Sequence, residues 1–265
     1  MFTANLLTAL VLCVGAVINA SPLAKRDAGP LFGSSGLPSY QDIVPHHRDS
    51  AYVVTVMTLT YIAPEYVESL ISFEGDGDYS SIEEVTATSW TLPGNGTGTG
   101  PEMRKTKIRR EDVSLRNDTK SDIWWGGALY QAPIKEGTVV DPEGQGGMPS
   151  LYPTEAMTIL TGKKAEMDQP TALHTFWARV SDQNPKESPV MLATKKEGCN
   201  ILSNDSMFGI IDISEALSPF GNGTVLTLLD LFGKELRISS EQAVLEYDHI
   251  AYWPDKPSFK DVRAP

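Results

Sequence analysis

The chain has 265 residues, 41% hydrophobic and 21% charged, a globular composition that excludes a disordered or collagen-like protein. Its net charge of −12 and pI near 4.8 argue against nucleic acid or an anionic membrane as the main partner. With only two cysteines, Cys13 and Cys199, a disulfide scaffold and a Cys-rich zinc site are also excluded.

Residues 6–18 are apolar apart from Thr8 and lead into Asn19-Ala20 before Ser21-Pro22. A run this short with a small-residue ending fits a signal peptide over 1–20; a membrane anchor needs about 20 apolar residues. Lys25-Arg26 reads as a second processing site or as a surface pair in an extended start. Cleavage there removes two positive and no negative charges, taking the net charge from −12 to −14. Cys13 leaves with the leader, so Cys199 is the remaining thiol and no intramolecular disulfide forms. No later segment is apolar enough to span a bilayer. The sequons at Asn95, Asn117, Asn204 and Asn222 point to an extracellular glycoprotein.

Residues 21–37, rich in Gly, Pro and Ser, read as a flexible arm, and 38–265 as the folded core. The run 49–63 is β-branched enough for a strand, yet long and apolar enough for a buried helix ending before Pro64, so periodicity leaves both open. Short helices are expected over 64–73, 122–131, 154–161 and 173–180. A strand is expected over 81–90, with turns over 75–78 and 94–100. After Pro189 the pattern changes to strands over 190–193, 208–213, 225–229, 236–238 and 249–253. Helices early and antiparallel strands late indicate an α+β protein in two lobes, the N-terminal one helical and the C-terminal one an antiparallel β-sheet.

Several segments carry a resemblance. Arg48-Asp49-Ser50-Ala51-Tyr52 resembles a stretch ending in Gly-Asp-Cys-Trp/Tyr-Phe, and Ala63-Pro64-Glu65-Tyr66-Val67-Glu68-Ser69-Leu70 resembles the segment after that nucleophile helix. Glu155-Ala156-Met157-Thr158-Ile159-Leu160-Thr161-Gly162 resembles a Glu-Ala-x-x-x-Leu-Thr-Gly element. Ser206-Met207-Phe208-Gly209-Ile210 resembles the strand holding Gly-His-Ala-Tyr, and Leu229-Asp230-Leu231-Phe232-Gly233 the strand ending in Asn-Pro-Trp-Gly. In order and spacing these are similar to the catalytic core of calpain-type, papain-like cysteine proteases, over roughly three quarters of the mature chain. Residues 94–120 have no counterpart. The resemblance implies a papain-like two-lobed fold, with calcium as the one cofactor it suggests.

It does not bring the chemistry along. Such proteases need a thiolate at a helix N-terminus, a His for proton traffic, an Asn orienting that His and a Gln donating to the oxyanion. The corresponding positions here are Ser50, Ser206 (give or take a residue), Asp230 and Val44. A serine hydroxyl needs a neighbouring base more than a thiol does. Losing such a unit removes a factor of roughly 10⁶ from turnover. Ser50 also has a plain reading as the N-cap or first-turn residue of a helix.

Among other candidates, His46 and His47 read as surface residues before Ser50, His249 as a structural residue of a closing strand, and His174 as solitary. Asp76-Gly77-Asp78 fails as an EF-hand, because Ser81 stands for its Gly and Ala87 for its final Glu. The basic run 104–110 reads as a solvated strand or loop balanced by Glu111-Asp112. Cys199 is a free thiol or the site of an intermolecular disulfide.

The expectation is a secreted glycoprotein with a degenerate calpain-like core, a non-catalytic binding, decoy or effector-type protein whose partner is an extracellular protein or polysaccharide. Leader, dibasic pair and sequons together resemble an exported protein of a filamentous fungus. The alternative is a divergent secreted calpain-like peptidase or a Ser-based hydrolase with relocated residues.

Overall fold

A computed structural model describes residues 29–43, 50–75, 78–93, 100–113, 122–140, 150–169, 172–218 and 221–260. The leader, Lys25-Arg26, Val44, His46, His47, Asp76, Asn95 and Asn117 lie outside the described residues. The fold is mixed α+β with two antiparallel sheets.

The run left open in the sequence is a helix, α1 (Ser50–Ile62), buried almost throughout. A helix satisfies its own backbone polar groups, so it can be surrounded by core on every side, whereas a lone strand cannot. Its threonines are made compatible with that setting by bonding back along the helix. Thr55, Thr58 and Thr60 donate to the carbonyls of Ala51, Val54 and Val56 at 2.6, 2.6 and 2.7 Å. Burial therefore overrides the β-branched propensity. Pro64 then opens α2 (Pro64–Ser69), where its missing N–H costs nothing.

A three-stranded sheet comes next, in the order β1 (Ile71–Ser72), β2 (Glu84–Trp90) and β3 (Met103–Arg109). The basic run falls on β3, where Lys107 and Arg104 pair with Glu84 and Glu102 at 2.9 and 2.7 Å. Beyond it, Arg110 pairs with Glu83 at 3.1 Å. These are exposed pairs that neutralise the surface and add little stability. The first half of the chain is thus not purely helical.

Helix α3 (Trp125–Lys135) continues four residues past the expected end and carries Pro133 inside it. A proline there cannot donate to the carbonyl four residues back, that of Leu129. The Tyr52 hydroxyl, from α1, donates to that carbonyl at 2.8 Å instead. Helix α4 (Pro153–Thr161) begins with a proline and ends at Gly162, whose φ of 66° is left-handed.

The second sheet has six strands in the order β4-β9-β5-β6-β7-β8. They are β4 (Glu166–Asp168), β5 (Val190–Thr194), β6 (Met207–Ser218), β7 (Gly221–Leu229), β8 (Glu235–Ser239) and β9 (Tyr247–Tyr252). One face sends Met191, Ala193, Met207, Leu229 and Ala251 into a core shared with α1, α3, α4 and the small sheet. The other face sends Val190, Leu192, Phe208, Ile210 and Ile250 into a second core closed by α5 (Leu173–Asp182) and α6 (Ser240–Glu246). Alternation along the strands produces both faces. The first core approaches β6 so closely that a side chain at Gly209 would overlap Thr58 of α1.

Within the arm expected over 21–37, Leu31 and Phe32 are buried in the first core. The Leu31 N–H bonds the carbonyl of Tyr79 at 2.9 Å, so this part of the arm belongs to the fold. Among the described residues no helix is long and apolar enough to cross a membrane.

Candidate functional site

Ser50 is the first residue of α1 and is partly exposed. Ser206 and Asp230 lie at the same end of the neighbouring strands β6 and β7, since Gly209 pairs with Leu229. The topology thus brings two of the predicted positions to one sheet end.

Their polar groups are committed locally. The Ser206 hydroxyl donates to the carbonyl of Asn204 at 2.9 Å, and its N–H donates to the Thr194 hydroxyl at 2.9 Å. Oδ1 of Asp230 accepts the N–H groups of Phe232 and Lys234, both at 2.8 Å, while its carbonyl accepts that of Gly233 at 3.1 Å. Asp230 is an Asx-turn residue, which is the turn chemistry that joins β7 to β8. The turn meets α1 through Gly233, beside the Met57 methyl and the Tyr40 ring. Met57 lies seven residues beyond Ser50, about 10 Å along the helix axis.

The described histidines, His174 and His249, do not complete a catalytic unit. His174 is exposed on α5. His249 stands in β9 opposite Ala193, with Nδ1 3.0 Å from Oδ2 of Asp248. Its Nε2 is buried and has no hydrogen-bond partner among the described residues, so no hydroxyl or thiol there is activated by it.

Cys199 lies in the loop between β5 and β6. Its Sγ sits 3.4 Å from the carbonyl of Glu246 and 3.8 Å from that of Lys195, and its N–H donates to Oδ1 of Asn204 at 2.9 Å. Asn204 is itself exposed. Asn222 stands at the start of β7, its backbone opposite Leu217. In the turn weighed as a calcium loop, Asp78 accepts the N–H and hydroxyl of Ser80 at 3.0 and 2.6 Å. Those bonds, the side-chain one first, hold its carboxyl below the usual range. Among the described residues no group of three or more His, Cys, Asp or Glu could hold a metal ion.

What sequence reasoning missed is an aromatic pair, Tyr40 and Tyr61, beside the Asp230 turn. Phe232, at the tip of the turn, is 65% exposed. Tyr40 packs on Tyr61 with ring centroids 5.2 Å apart, and the Tyr61 hydroxyl donates to Oε1 of Glu235 at 2.9 Å. Tyr40, Tyr61 and Glu235 are far apart in sequence and only folding joins them.

The tyrosines give this region a measurable alkaline signature. Partial burial, then the bond to Glu235, pushes the Tyr61 phenol up to about 12. Burial pushes Tyr52 and Tyr66 further still. A folded value above the unfolded one near 10 means the neutral phenol is favoured by folding. That stabilisation is complete below pH of about 10 and is lost as pH rises through the folded values. Phenolate absorbance is therefore expected to show Tyr52, Tyr61 and Tyr66 silent near pH 10, ionising above it as the fold is lost. All nine tyrosines titrating together near pH 10 in a still-folded protein would contradict these environments.

No protein-family model matches the chain, and no curated protein matches it.

Proposed function

We propose that this is a secreted glycoprotein whose calpain-like, papain-type core has lost its protease centre and acts by binding. One observation carries the reading: none of the four positions of the resemblance holds the residue the chemistry needs. They hold Val44, Ser50, Ser206 and Asp230. The local bonds of Ser206 and Asp230 support it, since a hydroxyl and a carboxylate engaged in their own loops are poorly placed to move protons for a substrate. The partner is extracellular, a protein or polysaccharide. Exposure of Asn204 is compatible with a glycan there.

The competing reading, a hydrolase with relocated residues, draws on the Asp248–His249 pair, which orients an imidazole but aims it at no nucleophile among the described residues. The test uses the mature chain purified from a secreting host, on casein and fluorogenic peptides with and without calcium. No turnover is expected, and the intact mass should fall when N-glycans are removed. Turnover abolished by Ser50→Ala would overturn the non-catalytic reading. An unchanged mass would remove the glycoprotein part of it.

A further inference from the structure

Each of the two sheets ends in two edge strands, and an edge strand offers unpaired N–H and C=O groups to another strand. β1 and β4 are only two and three residues long. β3 carries Lys105, Lys107 and Arg109 along one face, a row that repels an identical strand, and the Lys135 ammonium donates to its Lys107 carbonyl at 2.9 Å. β8, five residues long with one Glu and one Arg, has no such row.

The direction of its free backbone groups follows from the hairpin. The Asp230 N–H donates to the Lys234 carbonyl at 3.0 Å, which fixes the alternation of the β7–β8 ladder. With Leu228 opposite Leu236 and Leu226 opposite Ile238, the even-numbered residues of β8 bond β7. The N–H and C=O groups of Glu235, Arg237 and Ser239 then point away from β7. Oε1 of Gln242 accepts the Ser239 N–H at 3.3 Å. Those of Glu235 and Arg237 have no backbone partner among the described residues. Their side chains stand on one face of the strand, both exposed and opposite in charge. Glu235 accepts from the Tyr61 hydroxyl at 2.9 Å and Arg237 donates to the Ser214 hydroxyl at 3.4 Å. Among the described residues neither forms an ion pair.

We propose that β8 pairs antiparallel with β8 of a second copy of this chain, about a two-fold axis at Leu236, joining their large sheets into one. Charge complementarity selects both the occupant and the register. A two-fold at Glu235 or at Arg237 would set like charges opposite each other, which is destabilising in a cross-strand pair. With the axis at Leu236, Glu235 of each copy faces Arg237 of the other, and each exchanges its free N–H and C=O with the residue it faces. The strand is thus its own complement, as an isologous interface requires. This inference is independent of the non-catalytic reading.

Sedimentation velocity of the full secreted chain over a concentration series is the test. A reversible dimer is expected, weakened by salt because its charge pairs are exposed. Arg237→Glu makes both positions acidic and Glu235→Arg makes both basic. Each variant alone should self-associate about tenfold more weakly or worse, whereas an equimolar mixture of the two should form a mixed dimer, every cross-strand pair then being opposite in charge. Arg237 is exposed, so Arg237→Glu should unfold at the parent's urea midpoint. Should Glu235→Arg fail to fold for want of the Tyr61 bond, Arg237→Pro removes an outward N–H without touching the β7 ladder and should likewise weaken the dimer. A monomer at every concentration, a dimer indifferent to Arg237→Glu, or two folded variants that do not combine overturns the proposal.

Discussion

Replacing Gly162 by alanine is expected to lower the stability of this protein by about 2–4 kcal/mol, a large share of the ~5–15 kcal/mol typical of a domain. Two independent effects combine. The left-handed backbone at Gly162, with φ of 66°, closes α4 through a hydrogen bond from its N–H to the carbonyl of Thr158 at 2.8 Å. A Cβ in that conformation costs about 1–2 kcal/mol. It would also overlap the indole of Trp90, the last residue of β2. Gly137 separates the two effects, because it has φ of 72° but no heavy atom within 4 Å of where a Cβ would stand. Gly137→Ala should lose only the backbone share. Urea unfolding followed by tryptophan fluorescence reads both variants. Equal midpoints for the two would show that the Trp90 contact contributes nothing.

The second large effect is expected at Glu246, the final residue of α6, 3% exposed. Its carboxylate accepts three successive backbone N–H groups of the β5–β6 loop. Asn200 and Ile201 reach Oε1 at 3.0 and 2.9 Å, and Leu202 reaches Oε2 at 2.7 Å. Hydrogen bonds to a charged acceptor are the stronger class, and loss of the acceptor leaves the buried Leu202 donor without its partner. Glu246→Ala should therefore cost about 2–3 kcal/mol. The same loop carries Cys199, whose Sγ lies against the Glu246 carbonyl, so loosening it should speed thiol labelling at native conditions. Glu246→Gln keeps one acceptor and should fall between. A variant that unfolds at the parent's denaturant concentration, with unchanged labelling, would refute this anchoring role.

Some elements are legible in local pattern, others are not. Strands β5, β6, β7 and β9 are rich in apolar and β-branched residues and bounded by turns, which makes their positions readable. Helix α6 has a readable start in Ser239 and Gln242, a capping box whose two hydrogen bonds are 3.2 and 3.3 Å, although the strand pattern around it masks that signal. Strand β4, Glu-Met-Asp, has no apolar pattern at all. It is extended because β9 offers it an edge, pairing Met167 with Ala251. Helix α3 runs on through Pro133 because a tyrosine 77 positions before Leu129 accommodates the break.

The candidate site divides in the same way. Ser50, Ser206, Asp230 and Val44 are nameable from order and spacing, and so is the absence of a thiol, an imidazole and amides at those positions. Composition and residue identity are properties of the chain before it folds, and they are enough to say which chemistry is missing. The commitments of Ser206 and Asp230 to their own loops are not legible there, nor is the meeting of Tyr40, Tyr61 and Glu235. Tyr61 and Glu235 are 174 residues apart, and their contact follows from α1 lying against the six-stranded sheet. The helical state of α1 is decided the same way. Its local propensity is divided, and only burial on all sides makes the self-satisfying helix the lower-energy choice.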